Sequence, residues 1–313
     1  CLTLGTPVAL QVVNRDHANW LESMAPCGSK PESLKRETHP RPGHADLVGM
    51  LKLDTDDARN ILERSSARET AARVAAGGIA KAFLKELGVE VYSYVNRIGD
   101  VEMPQDASFT QEDIESSECR CPDADTTEAM KAAIDDARKK GESLGGEFTV
   151  IATGLVCGLG SFESGPARLT SKLGAAAFSI PAIKGVEFGM GFETARRPGS
   201  KVHDSILLDG KGGFTRDRNN AGGLEGGMTN GQPLVMRLAM KPIPTMMKPL
   251  GTIDTDTLEP VLASKERSDV CAVPAAGVVA EAEIAFVLAD AYLEKFFIAV
   301  RDSGGDIQKY TRR

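Results

Sequence analysis

The chain has no apolar run long enough to cross a bilayer as a helix, which takes roughly 20 residues. Its longest such run, Cys271–Ala280, has ten. It also lacks an excess of positive charge. Lys and Arg number 37 against 44 Asp and Glu, for a net charge of −7. The basic stripe of a nucleic-acid binder is therefore not expected. Cys119 and Cys121 form a C-x-C pair, but a second pair is missing. None of His17, His39, His44 and His203 stands at ligand spacing, so no metal site is read. A Walker loop is excluded because no G-K-[ST] occurs. A Rossmann fingerprint is excluded because no G-x-G-x-x-G joins a strand to a helix with an acid downstream.

What is present is ordinary globular composition, 42% hydrophobic and 26% charged over 313 residues. Such a chain has core enough without disulfides. No signal peptide is read, so the six cysteines are expected as free thiols in a reducing cytoplasm. The acidity is local. Residues 100–128 carry ten acids and the single base Arg120, a net of −9 that leaves the rest of the chain at +2. That segment reads as a solvated excursion, and the remainder is free to hold an anion.

Val8–Val13 reads as a strand, residues 25–43 as a loop with four prolines and two glycines, and Asp54–Arg64 as a short helix. Ser66 and Glu69 have the spacing of a capping box ahead of a helix to about Leu87, with Gly88 placed to stop it. Val89–Ile98 alternates as a half-buried strand does. A helix over Thr127–Lys140, a strand over Glu147–Val156 and a helix over Pro166–Phe178 follow. Residues 183–215 read as strands and turns, Gln232–Lys241 as a strand and Val278–Phe297 as a long helix. Strands and helices mix without a βαβα rhythm, which favours an α+β fold.

Four stretches carry candidate chemistry. In Arg41-Pro42-Gly43-His44-Ala45-Asp46, a histidine in a Pro/Gly loop between Arg and Asp is positioned for acid/base work. A surface histidine is the plainer reading. In Arg64-Ser65-Ser66-Ala67-Arg68, two arginines and two hydroxyls crowd a helix start, where an anion fits, as would a plain cap. Glycines 222, 223, 226, 227 and 231 offer a bare backbone to a flat ring or phosphate, although on these residues alone a long tight turn is the better account. In Arg267-Ser268-Asp269, the Asp suits a base and the Arg an anion clamp; a turn with a local ion pair would look the same. Together they point to a phosphorylated ligand, an acid/base pair and a surface for something flat.

RPGHAD (41–46), RSSARETAARVAAG (64–77), GGLEGGMTNGQ (222–232), KPIPT (241–245) and RSDVCAVPAAGVVAE (267–281), in this order, resemble chorismate synthases. The resemblance implies a single domain over 1–313 with a β-α-β sandwich of two four-stranded antiparallel sheets and surrounding helices, assembled as a cytoplasmic homotetramer. It implies a lyase of the shikimate pathway, leading to the aromatic amino acids. Phosphate leaves 5-enolpyruvylshikimate 3-phosphate by 1,4-anti elimination, giving chorismate, with reduced FMN as cofactor. The flavin lends an electron transiently and recovers it. The substrate is a phosphorylated small molecule; no nucleic acid or membrane partner is implied.

Residue by residue, the resemblance gives Arg41, Arg68 and Arg267 to the substrate. It gives Arg64, Ser65, Ser66, Ala182, Gly226, Lys241, Pro242, Ile243, Pro244, Thr245 and Arg267 to FMN. His44 matches the histidine that protonates the reduced flavin, and Asp269 the acid assisting removal of the C6 proton. There are departures. The family's Gly-Glu-Ser-His-Gly motif has no counterpart, and with the start at Cys1 an N-terminal segment is expected to be missing. Met190 and Pro181 stand where relatives carry polar or amide residues, at the flavin site's edge. No separate nucleotide fold for NADPH (NADP as product) is read, so external reduction of the flavin is expected. The competing reading is a flavin-binding, non-catalytic homologue or oligomeric scaffold.

Overall fold

In a computed structural model of the chain, residues 5–22, 25, 27, 34–105, 108–210 and 212–302 are described, 297–302 by backbone only. Cys1, part of the 25–43 loop and Asp106 lie outside the described residues. The helices are α1 (Asp46–Leu53), α2 (Arg59–Arg64), α3 (Thr70–Glu86), α4 (Gln111–Ser116), α5 (Ala124–Lys140), α6 (Leu169–Ser179) and α7 (Val273–Asp302). The strands are β1 (Glu90–Ile98), β2 (Val101–Glu102), β3 (Gly146–Thr153), β4 (Ile183–Phe188), β5 (Ile206–Leu208), β6 (Phe214–Arg216), β7 (Leu224–Glu225), β8 (Met228–Thr229), β9 (Leu234–Met240), β10 (Gly251–Ile253) and β11 (Pro260–Leu262).

Alternation along β1, β3 and β9 sets one face of an antiparallel sheet of order β2-β1-β3-β9-β4. Val95 pairs with Phe148 and Phe148 with Leu238. Ser93 pairs with Val150 and Val150 with Met236. With a side-chain period of two, these residues share a face. Phe148, Val150, Met236 and Leu238 are fully buried there, each contributing roughly 1.5–3 kcal/mol. Helices α3, α6 and α7 cover that face. α3 crosses α7 closely at Gly77, where a Cβ would lie 2.3 Å from that of Ala282. The described residues thus form an α+β fold with antiparallel sheets: one five-stranded sheet and three two-stranded ribbons. Two four-stranded sheets are not found among them.

Several local expectations change. Val8–Val13 forms no strand: Val8, Leu10, Val12 and Val13 are exposed, and no described strand offers them a ladder. The helix expected over Asp54–Arg64 begins only at Arg59, because Asp54 takes φ 50° and ends α1, a helix the sequence pattern had not marked. The capping box at Ser66 does not close. Ser66 Oγ accepts from the Arg68 N–H at 3.3 Å, starting a 3₁₀ turn, while Glu69 accepts from Arg73 at 2.7 Å. A closed box sits at Thr110–Asp113 instead. α6 starts at Leu169, past Pro166, and α7 starts at Val273, taking in part of the apolar run.

The acidic segment is more than a solvated excursion. Its Met103, Ile114, Cys119 and Cys121 are buried in the core, and Arg120 reaches inward to Glu281 on α7 at 2.9 Å. Cys27, Cys119, Cys121, Cys157 and Cys271 are free thiols. Among the described residues no helix is long and apolar enough to cross a membrane. Nor is any group of three or more His, Cys, Asp or Glu placed to hold a metal ion.

Candidate functional site

A cavity of about 630 Å³ opens where distant parts of the chain meet: the 41–45 loop, the α2–α3 connection, the α6–β4 turn, the exit of β9, and residues 266–269 leading into α7. Its volume lies within the range of small-molecule sites. It is lined by twelve of the sequence-derived candidates: Arg41, His44, Ser65, Ser66, Arg68, Ala182, Lys241, Ile243, Pro244, Thr245, Arg267 and Asp269. Three others are not in the lining. Arg64 and Pro242 are exposed, and Gly226 lies in the β7–β8 hairpin turn with φ 60° followed by Gly227 at 90°, the conformation glycine supplies most cheaply. A second cavity of about 690 Å³, beside β4, contains none of the candidates.

The RPGHAD loop is held by an inner ring of polar contacts. Asp46, at the start of α1, is 1% exposed. Its Oδ2 accepts from the Arg41 backbone N–H at 3.0 Å and from Arg41 Nε at 2.8 Å. Its Oδ1 accepts from Arg41 Nη2 at 3.1 Å and faces His44 Nδ1 at 2.5 Å. Arg41 Nη1 donates to Thr245 Oγ1 at 2.7 Å. Burial by itself would push the Asp46 carboxyl up. The hydrogen bonds from His44 and Arg41 outweigh it and hold the group well below the usual carboxylate range. Arg41, buried and with most of its donors engaged, is foremost a brace for this loop.

The outer wall is ionic. Ser65 Oγ donates back to the Ile61 carbonyl at 2.7 Å. Glu63 accepts from Arg68 Nη1 at 3.2 Å. Arg59 stands 3.3 Å from Glu266 and 3.9 Å from Glu37 and Glu63. Its buried Nε has no hydrogen-bond partner among the described residues. Asp16 is held below the usual carboxylate range by hydrogen bonds from Asn19 and Trp20, with Arg267 and Arg68 adding to the effect. Arg68, Arg267 and Asp269 are exposed toward the opening. Opposite lie small apolar side chains, Ala272, Ala275 and Ala276 at the start of α7. Ala182 takes φ 68°, a strained conformation for a residue with a Cβ. Its carbonyl accepts from the Lys241 N–H at 3.0 Å, joining two walls of the cavity.

Sequence reasoning missed Asp16, Trp20, Arg59, Glu63 and Glu266 as lining residues. The spacing of Arg59, Glu63 and Ser66, about one helical turn between each, is the signal that could have found the first two, as one face running into the RSSAR stretch. Nothing in the sequence placed residues 16–20 there. Trp20, the chain's only tryptophan, donates its indole N–H to Asp16 at 2.9 Å.

The family model described as chorismate synthase matches residues 2–293. The chorismate synthase of Geobacter sulfurreducens is 50% identical over 321 residues, covering 99% of this chain and 80% of that protein. The chorismate synthase of Moorella thermoacetica is 54% identical over 302 residues, covering 94% of this chain and 77% of that protein. A crystal structure of a chorismate synthase superposes with a TM-score of 0.69 at 43% identity, over 86% of this chain and 73% of that one.

Proposed function

The chain belongs to the chorismate synthase family, and from that premise we propose that this cavity is where phosphate is eliminated from 5-enolpyruvylshikimate 3-phosphate to give chorismate, with reduced FMN as cofactor. One observation carries the assignment of the site: residues spread from 41 to 269 converge on one cavity with an imidazole, several cations and an exposed carboxylate.

The residues fit a flavin and a polyanion. The cations Arg41, Arg59, Arg68, Lys241 and Arg267 outnumber the carboxylates Asp16, Glu63, Glu266 and Asp269. Arg59 keeps a buried donor unspent. The small side chains opening α7 leave a wall that a planar ring can approach. Ser65, Ser66, Ala182, Lys241, Ile243, Pro244, Thr245 and Arg267 would hold FMN, with Arg64, Pro242 and Gly226 assigned by resemblance alone. Reduced FMN, when bound, supplies an electron transiently and recovers it. Arg68 and Arg267, exposed toward the opening, hold the substrate's anionic groups, and Arg41 shares this role through its remaining N–H groups. Asp269 assists removal of the substrate proton, and His44 exchanges a proton inside the cavity. Fixed charges act strongly here because a bound ligand excludes the water that would screen them. The reading includes a cytoplasmic location and a homotetramer; the exposed Phe192, Leu208 and Phe214, whose apolar surface suits self-association, support the assembly alone.

Trp20 gives a direct test. FMN binding in the cavity quenches its fluorescence, and anaerobic incubation with chemically reduced FMN and 5-enolpyruvylshikimate 3-phosphate yields chorismate and phosphate in equal amounts. Absence of quenching sinks the flavin assignment. Quenching without product, in protein that includes the family's Gly-Glu-Ser-His-Gly segment, leaves a non-catalytic homologue.

A further inference from the structure

The contacts of Asp46 settle more than the shape of a loop. A carboxylate can only accept, so at 2.5 Å from Asp46 Oδ1 the Nδ1 atom of His44 must carry a proton. Arg41 Nη2 stands 3.1 Å from the same Nδ1, yet two donors cannot satisfy each other. Its proton goes to Asp46 Oδ1, also at 3.1 Å. In the neutral ring the lone pair then lies on Nε2. Arg41 Nη2, 3.4 Å from Nε2, presents positive charge there, in keeping with an unprotonated nitrogen. Asp46 is 1% exposed and covers Nδ1, whereas His44 lines the cavity with 18% of its side chain exposed, so the ring meets the cavity through atoms other than Nδ1.

We propose that Asp46 is a positioning residue: it accepts the Nδ1–H of His44, fixes the ring's tautomer and orientation, and leaves Nε2 as the atom that exchanges protons with the cavity. The catalytic consequence rests on the function proposed above; the tautomer does not. Geometry also states what the isosteric amide does. In Asp46→Asn, the Arg41 backbone N–H and Nε both donate to the position of Oδ2. They hold the amide oxygen there and turn its NH₂ toward His44 Nδ1. That nitrogen becomes an acceptor, and the proton moves to Nε2.

The test is nitrogen-15 NMR on protein labelled at histidine, with the His44 signals assigned by their loss in His44→Gln. The expected result is the Nδ1–H pattern for the neutral ring in the parent and the Nε2–H pattern in Asp46→Asn, with the signals of His17, His39 and His203 unmoved. An Nε2–H pattern in the parent, or the same tautomer in both proteins, overturns the inference. The parent spectrum decides even if the variant fails to fold. With reduced FMN and substrate, kcat of Asp46→Asn should fall about 10²-fold or more with KM little changed. Reversal of the tautomer with undiminished kcat also overturns the role. Reversal with no turnover in either protein, each carrying the family's Gly-Glu-Ser-His-Gly segment, upholds the positioning and instead defeats the proposed reaction.

Discussion

Lys241, at the exit of β9, donates its ammonium to the backbone carbonyl of Gly43, 198 residues earlier in the chain. The bond ties the RPGHAD loop to the KPIPT segment across the cavity. Burial pulls the Lys241 pKa down, and nearby Lys184 adds to the fall. A charge-assisted bond of this kind is worth roughly 1.5–3 kcal/mol. In Lys241→Met, quenching of Trp20 by FMN should require about tenfold more flavin. An unchanged titration would show that the latch does not shape the site.

The buried Glu281 on α7 gathers three donors: Ser93 Oγ at 2.7 Å, Lys81 Nζ at 2.5 Å and Arg120 Nη2 at 2.9 Å. Removing the carboxylate takes from Arg120 its buried counter-charge and leaves it the exposed Glu115 and the Ser93 carbonyl, while its buried Nε has no partner among the described residues. Glu281→Ala should cost about 3–5 kcal/mol, and Glu281→Gln less, since the amide oxygen still accepts. Urea denaturation followed by circular dichroism measures both.

Gly77 allows α3 to lie against α7. A Cβ there would meet Ala282 Cβ at 2.3 Å and its Cα at 2.5 Å, and backbone cannot swing aside as a flexible side chain does. Gly77→Ala should cost about 1–3 kcal/mol despite alanine's better helix propensity. Gly78→Ala, with nothing within 4 Å of the new Cβ, should gain up to about 1 kcal/mol. Thermal melts of the pair separate close packing from propensity.

Asp46 makes stability depend on pH in a known direction. Its folded pKa lies well below the 3.8 of an unperturbed Asp, so between the two values the unfolded chain binds the extra proton. The contribution is fully present above about pH 5 and drains as pH falls through 3.8 and below. The melting temperature of Asp46→Asn should be lower than the parent's at pH 6, with the gap narrowing toward pH 3.5. A constant gap would contradict the assigned shift.

Much of this was legible before any coordinates. Strands β1 and β9 showed as alternation, and β3 as a strand over Glu147–Val156. α3 showed as a periodic run with a stop at Gly88, which takes the left-handed conformation expected of a helix end, and α5 as a helix to Lys140. The misses have local causes. Ser66 and Glu69 have the spacing of a capping box, but Glu69 has a better partner in Arg73. Val8–Val13 has the composition of a strand and no ladder to join. Asp54 breaks a helix with a left-handed turn that composition does not announce.

By itself the sequence determined the class of fold, the family and most of its own site candidates that line the cavity, twelve of fifteen, because periodicity, turn chemistry and motif spacing are written along the chain. Only the tertiary structure decided which of those residues meet. It brought Trp20, Asp16 and Arg59 to the cavity, left Gly226 in a hairpin turn outside it, and set Asp46 rather than open solvent against His44 Nδ1. Those outcomes depend on distances between segments far apart in sequence, which are fixed when α3, α6 and α7 pack onto the sheet and which no local pattern encodes.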